Sequence, residues 1–155
     1  MTTFEQIQND LKSALRAEDA GRLSVLRMLS AAFQSKQIEK RAKAGVEAAA
    51  LSDEEILAVL KQEAKKRQDA IQQFSTAKRD DLVEKEKVEL GIIQAYLPKE
   101  LSDSELEKIV VSILRSMGAL TDKDFGKAMG VVTKETKGQA SGDRVSAIVK
   151  RLLQK

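Results

Sequence analysis

Residues 82–101 read LVEKEKVELGIIQAYLPKEL, and the organisation of the chain follows from how this stretch begins and stops. Leu82, Glu86, Leu90, Ile93 and Leu97 recur at i, i+4, i+8, i+11 and i+15, which keeps them on one face of a 3.6-residue helix. The face is narrow, so the opposite side stays wet. Pro98 is the single proline of the chain. It has no amide hydrogen and disfavours the α conformation at the residue before it, so this helix is expected to end near Tyr96 or Leu97. Ser102 then restarts helix, with Glu105 placed to close a capping box. Tyr96, Leu97 and Pro98 read as a hinge between an N-terminal helical subdomain, 1–97, and a C-terminal one, 98–155.

At 155 residues the chain buries roughly two thirds of its unfolded surface without disulfide or metal staples. It contains no cysteine and no histidine. That removes disulfides, thiolate nucleophiles, imidazole bases and the usual zinc ligands together. Five aromatic residues occur, Phe4, Phe33, Phe74, Tyr96 and Phe125, in a background of Ala, Leu, Lys, Glu and Gln that favours helix over strand. The expected fold is all-α, an N-terminal bundle of long helices followed by a smaller C-terminal three-helix subdomain. MTTFEQIQNDLKSAL lacks the apolar centre of a signal peptide, and no apolar run is long enough to span a bilayer. A cytoplasmic protein is therefore expected, with no membrane partner, no metal and no cofactor.

Taken in order, residues 3–19 read as a first helix capped by Thr2 or Thr3, with Phe4, Ile7, Leu11, Ala14 and Leu15 inward and Gly21 interrupting it. A second helix runs from Arg22 to Ala44 on Leu23, Leu26, Ser30, Phe33 and Ile38, its charged far end projecting or fraying. Ser52-Asp53-Glu54-Glu55 is a strong start for a third helix to about Ala77, with Ile56, Leu60, Ala64, Arg67, Ile71 and Phe74 on its buried side. Asp80 or Asp81 is placed to cap the fourth. Beyond the proline, a fifth helix spans Asp103 to Met117 with Gly118 as a left-handed C-cap, and Thr121 caps a sixth. The last helix runs from Asp143 to about Leu153 with Ser141 as its cap.

Charge is unevenly placed. Residues 1–101 carry seventeen charges of each sign, whereas residues 126–155 carry seven basic side chains against two acidic ones. Such a patch is a footprint for a polyanion, although solvated helices carry similar patches. Lys127, Lys134, Lys137, Arg144, Lys150 and Arg151 are the candidate phosphate contacts, and the amides of Gly138 and Gly142 beside the start of the last helix can add hydrogen bonds to an anion. Gly126 and Gly130 lie four apart within the sixth helix, where glycine is unfavourable, which suggests close approach of another backbone or a ligand. The acidic pairs Glu54/Glu55, Asp80/Asp81 and Asp122/Asp124 each open a helix, where capping explains them. GKAMG and KGQASG lack the lysine and hydroxyl that follow the second glycine of a phosphate-binding loop. No recognisable catalytic constellation remains.

The segments LSVLRML, RDDLVEKEKVELGIIQAYLPKEL, DFGKAMG and KGQASGDRVSAIVKRLL together resemble the YqeY family, from about Thr3 to Leu153. That family is similar to the tail of the GatB subunit of the glutamyl/aspartyl-tRNA amidotransferase, a tail that contacts tRNA while amide chemistry and ATP use lie elsewhere. The resemblance implies a helical fold in two subdomains and marks Gly126, Lys127, Gly130, Lys137, Gly138 and the start of the last helix as the part most like the tRNA-facing tail. Ser141 stands where the family commonly has an acidic cap, which alters the local charge but not the capping. Three functions follow as expectations. The first is a non-catalytic tRNA-binding protein. The second is a protein-interaction module that docks through its long N-terminal helices and exposes an apolar stripe on the second or third. The third is an amidotransferase-related enzyme, for which the family label speaks and no residue does.

Overall fold

The computed structural model describes residues 1–118 and 120–154. Among these residues the chain is all-α, with seven helices and no strand: α1 Thr3–Arg16, α2 Ala20–Ala44, α3 Asp53–Thr76, α4 Asp80–Gln94, α5 Asp103–Met117, α6 Phe125–Glu135 and α7 Gly142–Leu153, with a short 3-10 turn, Asp122–Asp124, leading into α6. They form two compact units, Met1–Leu97 and Pro98–Lys155.

Local chemistry sets most helix starts. Thr2, Ser52 and Ser102 each accept from the amide three residues on, while Glu5, Glu55 and Glu105 reach back to the cap amides, closing three capping boxes. Two expected starts differ. The break after α1 lies at 17–19 rather than at Gly21: Glu18 takes a positive φ of 54°, and Asp19 caps α2 from Ala20. A carboxylate ahead of the helix is a better cap than the glycine behind it. At α4, Arg79 occupies the cap position without a side-chain bond, and Asp80 and Asp81 sit in the first turn instead, where they complement the helix dipole.

In the first unit α1 and α2 form one hairpin and α3 and α4 a second, more extensively paired one. Ile7, Leu26, Leu29, Phe33, Leu60 and Ile93 are fully buried between them. Burial of side chains of this size stabilises by roughly 1.5–3 kcal/mol each. Phe4 meets Phe33 edge to face, with ring centroids 5.6 Å apart. Leu15, expected inward, is 55% exposed, and Ile38 is 63% exposed because α2 leaves the core after Phe33. The far end of α2 is nevertheless helical to Ala44: Lys40 donates to the carbonyl of Ala50 at 2.8 Å and to Glu55 at 2.7 Å. The opening stretch behaves as a half-wet helix, with Val83 and Ile93 its buried residues. Its α-helical part stops at Gln94, earlier than expected, and tightens into i to i+3 bonds from Tyr96 to Ile93 and from Leu97 to Gln94 as Pro98 approaches.

Two polar assemblies tie this unit together. Tyr96, buried, donates to Asp10 on α1 at 2.5 Å, and Arg22 of α2 reaches the same carboxylate at 3.3 Å. Burial, followed by the bond to Asp10, raises the Tyr96 hydroxyl above its usual alkaline range. On the second hairpin Arg67 of α3 lies between Glu86 and Glu89 of α4, at 3.6 Å and 3.2 Å, and touches the Met28 sulfur. The approach of its Nε to Glu89 is electrostatic rather than a well-aligned hydrogen bond. Of the hinge positions, Tyr96 and Leu97 pack with the core of the first unit, and Pro98 opens the second.

In the second unit α5, α6 and α7 enclose Leu106, Val110, Ala128, Val132, Val145 and Val149. Thr136 is buried after α6 and donates to the carbonyl of Val132 at 2.8 Å, which satisfies its hydroxyl. Gly118 does not form the left-handed helix cap expected of it. Its φ of 91° and ψ of −154° lie in a region that glycine alone occupies without strain.

Candidate nucleic-acid interface

The site is built on α6. Phe125, Ala128 and Val132 turn one side of the helix into the core of the second unit. At 100° per residue the opposite side carries Gly126, Lys127, Gly130, Val131 and Lys134, and all five are exposed. Lys127 and Lys134 are seven residues apart, so they stand almost in line, with the two glycines beside them. No acid lies within ion-pair distance of either among the described residues. Lys123, in the 3-10 turn just ahead, extends the basic line and is likewise exposed.

The two glycines, expected at a close approach, pack against no other part of the chain among the described residues. Apart from its own stretch of helix backbone, a methyl group at Gly126 or at Gly130 would meet no atom within 4 Å. What they create is a shallow, side-chain-free strip beside the lysines, open to a large partner's backbone.

The arginines also differ from expectation. Arg144 donates to the carbonyl of Leu101 at 2.6 Å and to Asp103 at 2.8 Å and 3.1 Å, so it clamps the start of α7 to the lead-in of α5. Leu101 is held again through its amide on the carbonyl of Gln139, at 2.8 Å. Arg151 pairs with Glu107 of α5 at 3.0 Å. Both cations serve the packing of α7 on α5, and neither is displayed with the lysines of α6. Lys137 is exposed at the turn after α6, where Gly138 adopts a positive φ of 78°. Gly142 is the first residue of α7, and its amide has no acceptor within the helix. Asp143, exposed at the next position, already supplies negative charge to that helix end, which opposes a bound anion there.

Lys150 stands elsewhere again. With Asp122, Phe125, Ser146, Leu153 and Gln154 it lines a recess of about 510 Å³ between the start of α6 and the last turns of α7. Lys123 and Phe125 precede the basic stretch 126–155, so its charge does not point to them. The segment DKDFGK carries the signal, a single aromatic residue between two lysines. That Phe125 opens onto α7 depends on tertiary packing.

The acidic pairs serve structure. Glu55 accepts from the Ser52 amide at 2.7 Å, Asp81 pairs with Arg79 at 3.0 Å, and Asp124 accepts from the Thr121 amide at 2.7 Å. Among the described residues no three His, Cys, Asp or Glu are grouped to hold a metal ion, and no helix is long and apolar enough to cross a membrane.

Sequence comparison matches residues 4–153 to the family model of the Yqey-like protein. The chain is 29% identical over 137 residues to altered inheritance of mitochondria protein 41, mitochondrial, of Pyrenophora tritici-repentis, covering 87% of this chain and 71% of that one. The protein of the same name in Candida glabrata is 28% identical over 151 residues, covering 92% and 80%. That of Saccharomyces cerevisiae is 29% identical over 133 residues, covering 86% and 67%. These relatives are mitochondrial by name, and that finding overturns the expectation of a purely cytoplasmic protein.

Proposed function

The chain belongs to the Yqey-like protein family, and on that footing we propose that its C-terminal unit docks on the sugar-phosphate backbone of a structured RNA and performs no bond chemistry of its own. The observation that carries the proposal is the exposed face of α6, where Lys127 and Lys134 stand in line beside Gly126 and Gly130. Ammonium groups that no acid among the described residues pairs with supply the counterion-release term that dominates binding to polyanions. A strip without side chains lets a phosphate backbone come close to the helix. The resemblance to the GatB tail points to tRNA among structured RNAs.

The protein-docking alternative has less to support it. Among the described residues, α3 exposes no large apolar residue and α2 exposes Ile38, whose neighbours one turn away are Gln34, Ser35, Arg41 and Ala42. A lone isoleucine is ordinary surface rather than a stripe.

The test is a titration of the full chain against unfractionated tRNA at several salt concentrations, with duplex DNA of similar charge as competitor. Saturable binding that prefers tRNA is expected, with a salt dependence that corresponds to roughly three to four phosphate contacts. No binding near physiological salt, or no preference over DNA, rejects the proposal.

A further inference from the structure

The recess beside Lys150 has a composition that a bare phosphate site does not need. Phe125 and Leu153 form its apolar part, and Asp122, Ser146, Lys150 and Gln154 bring a carboxylate, a hydroxyl, an ammonium and an amide to the same space. On α7 the lining residues recur at 146, 150 and 153, one helical face continued by Gln154 at the C-cap, while Asp122 comes from the turn into α6 and Phe125 from that helix's first position. Phe125 and Leu153 are each partly buried and pack against the core of the unit, and both also border the recess. The volume of about 510 Å³ falls within the roughly 300–1,000 Å³ range of small-molecule sites. Gly126 and Lys127 follow Phe125 directly, so the recess adjoins the first residues of the basic face.

We propose that this recess receives one unstacked nucleobase of the RNA, stacked on Phe125, with Lys150 at its phosphate and Asp122 at its base edge. The inference rests on the RNA-docking reading and adds to it a preference for RNA with unpaired bases. The charge pattern favours this occupant over its rivals. An inorganic anion would leave Phe125 and Leu153 unused and would face the Asp122 carboxylate. A lipid chain or apolar peptide would leave four polar groups without purpose. A nucleotide uses both kinds of surface, as single-stranded RNA does when aromatic rings stack its bases and polar groups read their edges. An ionised carboxylate only accepts hydrogen bonds. Guanine presents two neighbouring donors, N1–H and N2–H, on its Watson–Crick edge, so Asp122 favours guanine over the other bases.

The experiment compares an RNA hairpin with guanines in its loop, the same stem closed by a cytosine loop, and a blunt duplex of equal phosphate count. The probes are titrated against the wild-type full chain, Phe125→Leu, Asp122→Asn, and Lys127→Glu with Lys134→Glu. The wild type is expected to bind the guanine hairpin about tenfold tighter than the duplex, in keeping with one stacked base. Phe125→Leu, which keeps apolar volume and loses the ring, removes most of that margin and leaves duplex affinity unchanged. Asp122→Asn narrows the difference between guanine and cytosine loops; Asp122 is exposed, so this variant keeps the test open if Phe125→Leu unfolds the unit. Equal binding of hairpin and duplex by the wild type overturns the inference, as does an equal loss for both probes in Phe125→Leu. If the lysine pair still sets affinity in that case, the docking reading survives. If the lysine pair changes no affinity, the docking reading itself fails.

Discussion

In Met1–Leu97 sixteen basic side chains face sixteen acidic ones, and the partly buried charges are internally engaged: Arg67 with Glu86 and Glu89, Arg22 with Asp10, and Lys40 with Glu55. In Pro98–Lys155 the chain carries eleven basic residues against eight acidic, and the two arginines of α7 are engaged in the same way. The lysines of α6 have no such partner among the described residues. The two units therefore use charge for different ends. The first spends it on joining helices, and the second divides it between a structural side, where α7 meets α5, and a displayed side on α6. Net charge alone does not separate these uses. Whether a cation is already coordinated by its own fold does.

That contrast is open to attack at several points. The largest effect is expected from Phe33→Ala, at about 3–5 kcal/mol for a fully buried ring. The chain has one tyrosine and no tryptophan, so tyrosine emission follows the first unit alone. In urea, the Tyr96 transition should move to lower denaturant while a helical signal from the second unit persists by circular dichroism. A single coincident transition would show that the units do not unfold separately.

Arg144→Ala should cost about 1–2 kcal/mol, because it leaves the Leu101 carbonyl without its charged donor at a site partly open to water. Its effect on tRNA affinity should stay within about threefold, as expected for one charge that lies off the binding face. A tenfold or greater loss of affinity without loss of stability would return Arg144 to the interface.

Tyr96→Phe should cost about 1 kcal/mol, the worth of the bond to Asp10. Since the native hydroxyl titrates above its ordinary value of 10.0, the neutral form is favoured by folding. The corresponding stability is complete below that value and is lost as pH rises through the native pKa. Absorbance at alkaline pH reads this group directly, and a midpoint at or below 10.0 in the folded protein would contradict the geometry.

The smallest effect concerns the caps. Glu105, which accepts from the Ser102 amide, and Glu55, which accepts from Lys40 and the Ser52 amide, both titrate below the ordinary 4.5. Their folded values are depressed, so their contribution is present above that pH and is lost as pH falls through the native values. Thermal melts should show a shallow decline below pH 4.5 that Glu105→Gln reduces.

How far the sequence reveals this molecule depends on the range of each interaction. Ser52 with Glu55 and Ser102 with Glu105 are three residues apart, so their capping boxes and the all-α class are legible without any tertiary knowledge. Leu15 and Ile38 obey helical periodicity and yet face solvent, because periodicity gives a face without saying where a partner helix ends. Arg144 is read as a phosphate contact because its partners, Leu101 and Asp103, lie 43 and 41 residues away. The glycines of α6 suggest close packing until the helix is placed, when both prove to be on its open side. Lys127 and Lys134 are visible as charges in the sequence, but that no acid among the described residues meets them is a tertiary fact.

The central claim, that the displayed lysines of α6 dock RNA while the charges of the first unit do not, is tested most directly by matched charge reversal. Lys127→Glu with Lys134→Glu is compared with Lys61→Glu with Lys65→Glu on the exposed side of α3, by titrating each full-length variant against tRNA at fixed salt. The account predicts that the α6 pair lowers affinity at least about tenfold and flattens the salt dependence by roughly two phosphate contacts, while the α3 pair has a minor effect. Equal losses from the two pairs, or an unchanged affinity for the α6 pair, would contradict it.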